Sequence, residues 1–340
     1  MRTKMRTKEH SMPRSRRAAL MAMAASAAAL AALSPLTARA QAWPTKPVRI
    51  VVPAAPGGSA DPLARLVAEE LGRALNQSFV VENRPGANGN VGAASVVKSP
   101  ADGYTLLFGW TGTLVPAVTL YGAKPYHPQR DLDPIVLVGS VPNVIIVQPS
   151  LGVKTLAELT AHAKANPGKL NFGSTGSGSS YHLSGELYKK TVGVYMVHVP
   201  YNSPGAVLTD LVGDRLQLAF PGIAAAAPFV KDGRVRAVAV MADKRSDMMP
   251  DVPTTVELGY KGLVSDTWFG LLAPKSTPPD ILKRINEVLN ASLATPQVRD
   301  RLVSLGYQPL GGTPEKFASA LEADIQKWGE VVKFSGAKVD

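Results

Sequence analysis

The chain has 340 residues, 45% of them hydrophobic and 19% charged, which is enough apolar material for a sizeable core divided between two lobes. It contains no cysteine, which excludes disulfides, thiolate metal sites, a cysteine nucleophile and a lipid-modified cysteine anchor. The formal charge of +11 is concentrated at the start: without residues 1–40 the chain keeps 29 bases and 25 acids, a balance of +4 with no basic cluster, so nucleic acid is not an expected partner.

Residues 1–40 read as an export signal. Arg14, Arg16 and Arg17 precede the Ala/Leu-rich run 18–33, and Ala38-Arg39-Ala40 supplies a small-x-small cleavage site. The apolar run holds 16 residues, short for a membrane span and without a stop-transfer flank; a retained anchor is the alternative. "SRRAAL" fits the twin-arginine pattern except at Ala19, so both export routes stay open. The expected location is the periplasm, with cleavage near Ala40. The leading "MRTKMRTKEHSM" duplicates itself, leaving Met5 or Met12 as alternative starts.

From Val48 onward, strand-like runs alternate with helical ones. The spacing predicts strands over 48–52, 79–83, 104–109, 134–139, 143–148, 169–173, 195–200, 216–220, 235–242 and 268–274. Helices are predicted over 62–75, 90–98, 155–165, 179–191, 204–213, 224–231, 279–293, 296–304 and 314–334. Alternation of this kind, with continuous Val/Ile/Leu strands, predicts an α/β fold with parallel sheets covered on both faces. "PIVLVGSVPNVIIVQP" and "VSDTWFGLLAPKSTPP" read as crossings between lobes, giving 43–140 plus 265–340 for one lobe and 141–264 for the other. A cleft between them is the expected ligand site.

Two loops carry the functional expectation. In "PAAPGGSADP", Gly57, Gly58 and Ser59 lie between a strand and a helix that Asp61 would cap, with Pro62 in its first turn. Free backbone N–H groups and the helix dipole make such a place receptive to anions. In "KLNFGSTGSGSSYHLSGELYKK" the grammar repeats: a strand, the loop Ser174-Thr175-Gly176-Ser177-Gly178, and a helix capped by Ser179 or Ser180. Neither loop contains Lys or Arg, which fits a carboxylate better than a phosphate, and two donor-rich loops facing each other would close on one acid group. The alternative for each loop is a plain strand-to-helix turn.

Enzymatic motifs are missing: there is no G-x-S-x-G, P-loop, dinucleotide fingerprint or H-E-x-x-H pattern. A serine hydrolase using Ser177 or Ser179 with His182 is the rival reading, without an evident third group to orient the histidine. His127, His162, His182 and His198 are scattered and lack acidic neighbours at metal-ligand spacing, so no metal or other cofactor is expected. His182, one turn into the second helix, would touch the ligand or brace Ser177. Trp110, Tyr201, Phe220 and Trp268 read as core, with Trp110 and Tyr201 following strands at the cleft edge.

"APGGSAD", "VVENRPGANGNVGA", "PADGYTLLFG", "NPGKLNFGSTGSGSSYHLSGELY", "VHVPYN" and "MPDVPTTVELGY" together resemble, in order and spacing, the extracytoplasmic receptors of tripartite tricarboxylate transporters, the Bug family. The resemblance covers nearly the whole chain after Trp43. It implies a two-lobed, flytrap-like periplasmic binding protein of type II, a monomer, that hands a small carboxylate to a membrane permease or a sensor. It also implies ligand contacts from Ala55, Pro56, Gly57, Gly58, Ser59 and Asp61 in the first loop. The second loop would contribute Ser174, Thr175, Gly178, Ser179 and His182, and Tyr201 would line the distal end. Family members usually have a bulky aromatic at the position of Ala54, Lys or Arg then Gly at Asn202-Ser203, an acidic or amide residue near Pro221, and His or Tyr at Phe229. These departures imply a mono- or dicarboxylate with an apolar or aromatic body rather than citrate.

Overall fold

In the computed structural model, residues 43–57 and 59–337 are described; the expected export signal and Gly58 lie outside the described residues. Pro44–Asp340 groups as one compact unit built on two sheets.

The chain runs β1 (Val48–Val52), α1 (Ala60–Leu75), β2 (Phe79–Asn83), α2 (Asn90–Val97), β3 (Thr105–Trp110), α3 (Thr111–Thr119), α4 (Pro128–Asp131) and β4 (Leu132–Pro142). It continues through β5 (Val144–Val147), α5 (Leu156–Ala165), β6 (Asn171–Ser174), α6 (Ser180–Val192), β7 (Val197–Pro200), α7 (Pro204–Val212), β8 (Leu218–Ala219), α8 (Ile223–Lys231) and β9 (Arg236–Val240). It ends with β10 (Asp266–Pro274), α9 (Pro279–Ala294), α10 (Pro296–Ser304), β11 (Gln308–Pro309) and α11 (Pro314–Ser335).

The first sheet has strand order β11-β4-β10-β3-β1-β2 and the second β7-β6-β8-β5-β9. Both are mixed, a departure from the purely parallel expectation. β1 pairs in parallel with β2 and β3, but β10 is antiparallel to β3 and β4; β6 is parallel to β7 and β8, but β5 is antiparallel to β8 and β9. The antiparallel strands are those beside the crossings, where the chain enters a sheet from the neighbouring lobe rather than through a covering helix.

Only Asn143 separates β4 from β5, so one residue carries the chain from the first sheet to the second. The return runs from β9 to β10, and Ser265 stands just before β10. The strands nearest these crossings are mostly buried, and one apolar cluster includes Val51, Leu107, Ile145, Phe172, Phe220 and Trp268. α11 packs against β4 of the first sheet, against α3 and against α6, the helix that follows β6 of the second sheet.

Two helices lie outside the sequence prediction. α3, "TGTLVPAVT", has β-branched residues, a glycine and Pro116 inside it. Its propensity is poor, and burial of most of its residues offsets that. α4 is a single turn opened by Pro128.

A cavity where helix starts converge

A cavity of about 380 Å³ lies between the sheets, lined in part by Gly57, Ser59 and Ala60 on one side and by Thr175, Ser179, Ser180 and Tyr181 on the other. Both strand-to-helix loops therefore open onto the same space. Three further helix starts join them: Trp110 and Gly112 at α3, Pro204 at α7, and Gly222, Ala224 and Ala225 at α8. α1, α3 and α8 have no side chain capping their first turn. Among the described residues, the N–H groups of Gly112, Ser180, Tyr181 and Ala224 have no protein acceptor. Five helix starts thus turn partial positive charge toward one cavity, and α3, α6 and α8 present free N–H donors to it; Pro204, the lining residue of α7, has no N–H.

No Asp, Glu, Lys, Arg or His lines it. The remaining wall is Ala54, Val141, Thr267, Trp110, Phe269 and Asn88, with the Trp110 and Phe269 rings 6.4 Å apart. The arrangement suits a negatively charged group joined to an apolar body: donors without formal charge at one set of surfaces, aromatic and aliphatic side chains at the rest.

Each loop is braced from behind. Asp61 is inside α1, and Ser59 rather than Asp61 occupies the cap position, because the helix begins at Ala60. The Asp61 carboxylate accepts from Arg65 at 3.0 and 3.2 Å and from Asn83 Nδ2 at 3.0 Å. Burial pushes its acidity the other way, but Arg65, Asn83 and the Gly57 N–H outweigh it and hold the carboxyl below its usual range. Asp61 is thus consumed in shaping the loop and does not line the cavity. Asn83 ties the same carboxylate to the Ala54 carbonyl at 3.2 Å, and the Tyr307 hydroxyl donates to the Ser59 carbonyl from the far end of the chain. Tyr307→Phe is expected to cost about 1 kcal/mol in denaturant unfolding and to speed amide exchange at Ser59 and Ala60; unchanged exchange there would remove Tyr307 from the brace.

The second loop rests on two histidines. His182 Nδ1 accepts from the Gly178 N–H at 3.1 Å, and its own N–H donates to Ser179 Oγ at 3.3 Å, which makes Ser179 the cap of α6. His182 therefore braces Gly178, not Ser177, and takes up a donor that the loop would otherwise offer. His198 Nε2 sits 2.5 Å from Ser174 Oγ, which in turn bonds the backbone of Gly176. The two imidazoles meet with centroids 4.1 Å apart, tilted by 33°, with Phe172 beside both. Burial, and then the charges of His198 and Lys189, pull His182 down to about 3; burial and Lys189 pull His198 down to about 4. Both rings are neutral at ordinary pH. Glu186 lies 3.9 Å from His182 Nε2, and burial outweighs its Lys189 partner and raises its carboxyl.

Among the residues expected at the site, Gly57, Ser59, Thr175 and Ser179 line the cavity. Ala55 and Pro56 are exposed beside it, and Ser174, Gly178 and His182 are buried behind it. Tyr201 is half-buried with its hydroxyl on Asp210 at 2.8 Å, outside the lining set. Phe229 stacks under Arg234 instead of facing the cavity, and Pro221 is buried with its carbonyl bonded to the Val144 N–H at 2.8 Å. The rival hydrolase pairs are not assembled: neither His182 ring nitrogen meets Ser177 or Ser179, and Ser174, which does meet a histidine, is fully buried. Trp110, which follows a strand as the sequence suggests for a cleft edge, lines the cavity; Val141, Tyr181, Thr267 and Phe269 carry no sequence signal separable from core, and Asn88 lies in "VVENRPGANGNVGA" without a role that the motif singles out. No group of three or more metal-ligating side chains occurs among the described residues.

Comparison with known proteins gives a family match over residues 63–336 to the tripartite tricarboxylate transporter family receptor. Protein BugT of Bordetella pertussis is 36% identical over 301 residues, covering 88% of this chain and 92% of that protein. Among solved structures, R. palustris Rpa4515 with adipate aligns with a TM-score of 0.79 at 36% identity, covering 87% of this chain and 100% of the other. MatC from Rhodopseudomonas palustris with bound malate aligns with a TM-score of 0.76 at 32% identity, covering 85% of this chain and 100% of that one.

Proposed function

The chain belongs to the tripartite tricarboxylate transporter receptor family, whose members are binding receptors and not enzymes, and from that premise we propose that it captures a small mono- or dicarboxylate with an apolar or aromatic body. The observation that carries this is the cavity itself. The starts of α3, α6 and α8 supply uncharged N–H donors for a carboxylate, the dipoles of α1 and α7 add to their field, and Trp110, Phe269, Val141 and Ala54 offer a dry wall to the rest of the ligand. Citrate would bring three charges to a site with no cationic side chain, and desolvating each of them unpaired is costly. The neighbours solved with adipate and malate support the carboxylate class.

The proposed contacts are Gly57, Ser59, Thr175 and Ser179 from the two loops, with Gly112, Ser180, Tyr181 and Ala224 adding backbone donors. Gly58 belongs to the first loop by sequence. The lobes are taken as 43–140 with 265–340 and 141–264, supported by the change of sheet at Asn143 and again before β10. Ligand that touches both lobes draws them together because the contacts on each side exist only in the closed form. The receptor acts as a monomer, exported after removal of 1–40, and presents its closed shape to a membrane permease or a sensor.

Calorimetry on the chain lacking residues 1–40, with terephthalate, benzoate, adipate, glutamate, nicotinate and citrate, tests the reading. An apolar acid at a hundred times its Kd should stabilise the fold by about 2.7 kcal/mol, visible as a rise in Tm. Tight citrate binding with no response to the apolar acids would reverse the assignment of ligand body. No response to any acid would end the receptor reading for this cavity.

A further inference from the structure

Resting on the receptor reading, we propose that Asn143 couples occupation of the cavity to movement between the lobes. It is the single residue between β4 and β5, fully buried, and it binds every segment that such a movement would disturb. Its N–H donates to the Ser265 carbonyl at 2.9 Å, joining the two crossings, and its carbonyl accepts from the Met241 N–H at 2.8 Å. It also forms an antiparallel bridge with Gly222, the residue that opens α8 onto the cavity. Its side chain reaches further: Nδ2 lies 2.7 Å from Ser184 Oγ, 3.2 Å from the Phe220 carbonyl and 3.4 Å from the Ser180 carbonyl. Ser184 Oγ completes the circuit, 2.6 Å from the Ser180 carbonyl and 2.7 Å from Ser265 Oγ.

Two helix starts that line the cavity, at Ser180 and at Gly222, are thereby wired to both crossings through one residue, the first by its side-chain amide and the second by its backbone. The amide's orientation is fixed, since exchanging its oxygen and nitrogen would set an acceptor against two carbonyls. Its Oδ1 is buried with no hydrogen-bond partner, an expensive condition that a fold used only for stability has reason to avoid. A free acceptor at the junction of four moving segments gives the network a bond to gain when they shift. That is the differential interaction a two-state element needs if ligand is to bias it. Asn143 is a positioning residue in this scheme and does not touch ligand.

The test separates coupling from mere stability. The cysteine-free chain accepts spin labels at Lys98→Cys, just after α2, which packs on β1 and β3 of the first sheet, and at Lys231→Cys, at the end of α8, which packs mainly on β5 and β9 of the second; both positions are exposed, so their separation reports lobe movement. Wild type, Asn143→Leu and the milder Ser265→Ala are each titrated with adipate and with terephthalate, and Tm is recorded without ligand. We expect every folded variant to bind the responding acid at least tenfold more weakly and to lose most of the ligand-induced change in label distance. Variants that bind within twofold of wild type and show the full change would overturn the inference, whatever their Tm. Wild type that binds neither acid nor any other of the calorimetric panel would remove the receptor reading and this inference together; wild type that binds, with unaltered variants, removes only this one.

Discussion

Ala225→Trp is expected to abolish carboxylate binding while leaving a folded protein. Ala225 stands in the first turn of α8, half-buried on the cavity wall, so a large side chain there enters the space instead of the core. The cavity is only about 380 Å³, and an indole placed in it also blocks approach to the Ala224 N–H. Affinity should fall by a hundredfold or more, about 2.7 kcal/mol or above, with the ligand-free Tm within a few degrees of wild type. The comparison is decisive because Asp61, Ser174 and His182 cannot serve: each is tied into the frame of a loop, and replacing them confounds loss of site with loss of fold. Calorimetry alongside thermal melting checks it, and an Ala225→Trp protein that still binds would show that this is not the ligand's cavity.

The second large effect is on stability against acid. His182 and His198 are held at about 3 and about 4, well under the ordinary histidine value of 6.5. In the unfolded chain both take up protons as pH falls below 6.5, while in the folded one they remain neutral, so the unfolded state gains. Stability is therefore present above pH 6.5 and is lost as pH drops toward 4, by up to about 1.4 kcal/mol per pH unit for each histidine. Glu186, whose carboxyl is raised by burial, opposes the trend over part of the same interval. His198→Gln keeps a partner for Ser174 without a titrating ring. It should flatten the slope of unfolding free energy against pH between 6.5 and 4, measured by urea titration at several pH values. An unchanged slope would mean that these rings do not stay neutral in the fold.

Most of the framework was legible because its signals are local. Continuous apolar runs marked β1, β2 and β4, and loops rich in Gly and Ser marked the starts of α1 and α6. What escaped depended on tertiary context. α3 has a sequence that disfavours helix in isolation, yet its first turn brings Gly112 to the cavity beside Trp110 at the end of β3. Asp61 has every local mark of a cap, but Arg65 one turn on and Asn83 on β2 draw its carboxylate into the helix body. The histidines look scattered at 182 and 198; His198 on β7 pairs with Phe172 on β6, and α6 returns His182 over the same strand, so the rings meet at 4.1 Å, tilted by 33°. The resemblance implies a ligand-facing position at Phe229, and the structure places its ring against Arg234, outside the lining of the cavity.

A cavity with no formally charged side chain among its described lining residues has a kinetic consequence. Fields from helix ends fall off within a turn, so they hold an anion that has arrived but do little to draw one from a distance. Capture should then proceed at rates set by ordinary diffusion and lobe motion, and both capture and affinity should vary little with ionic strength. For a protein working where salt tracks the outside medium, that indifference lets the same occupancy be read in brine or in fresh water.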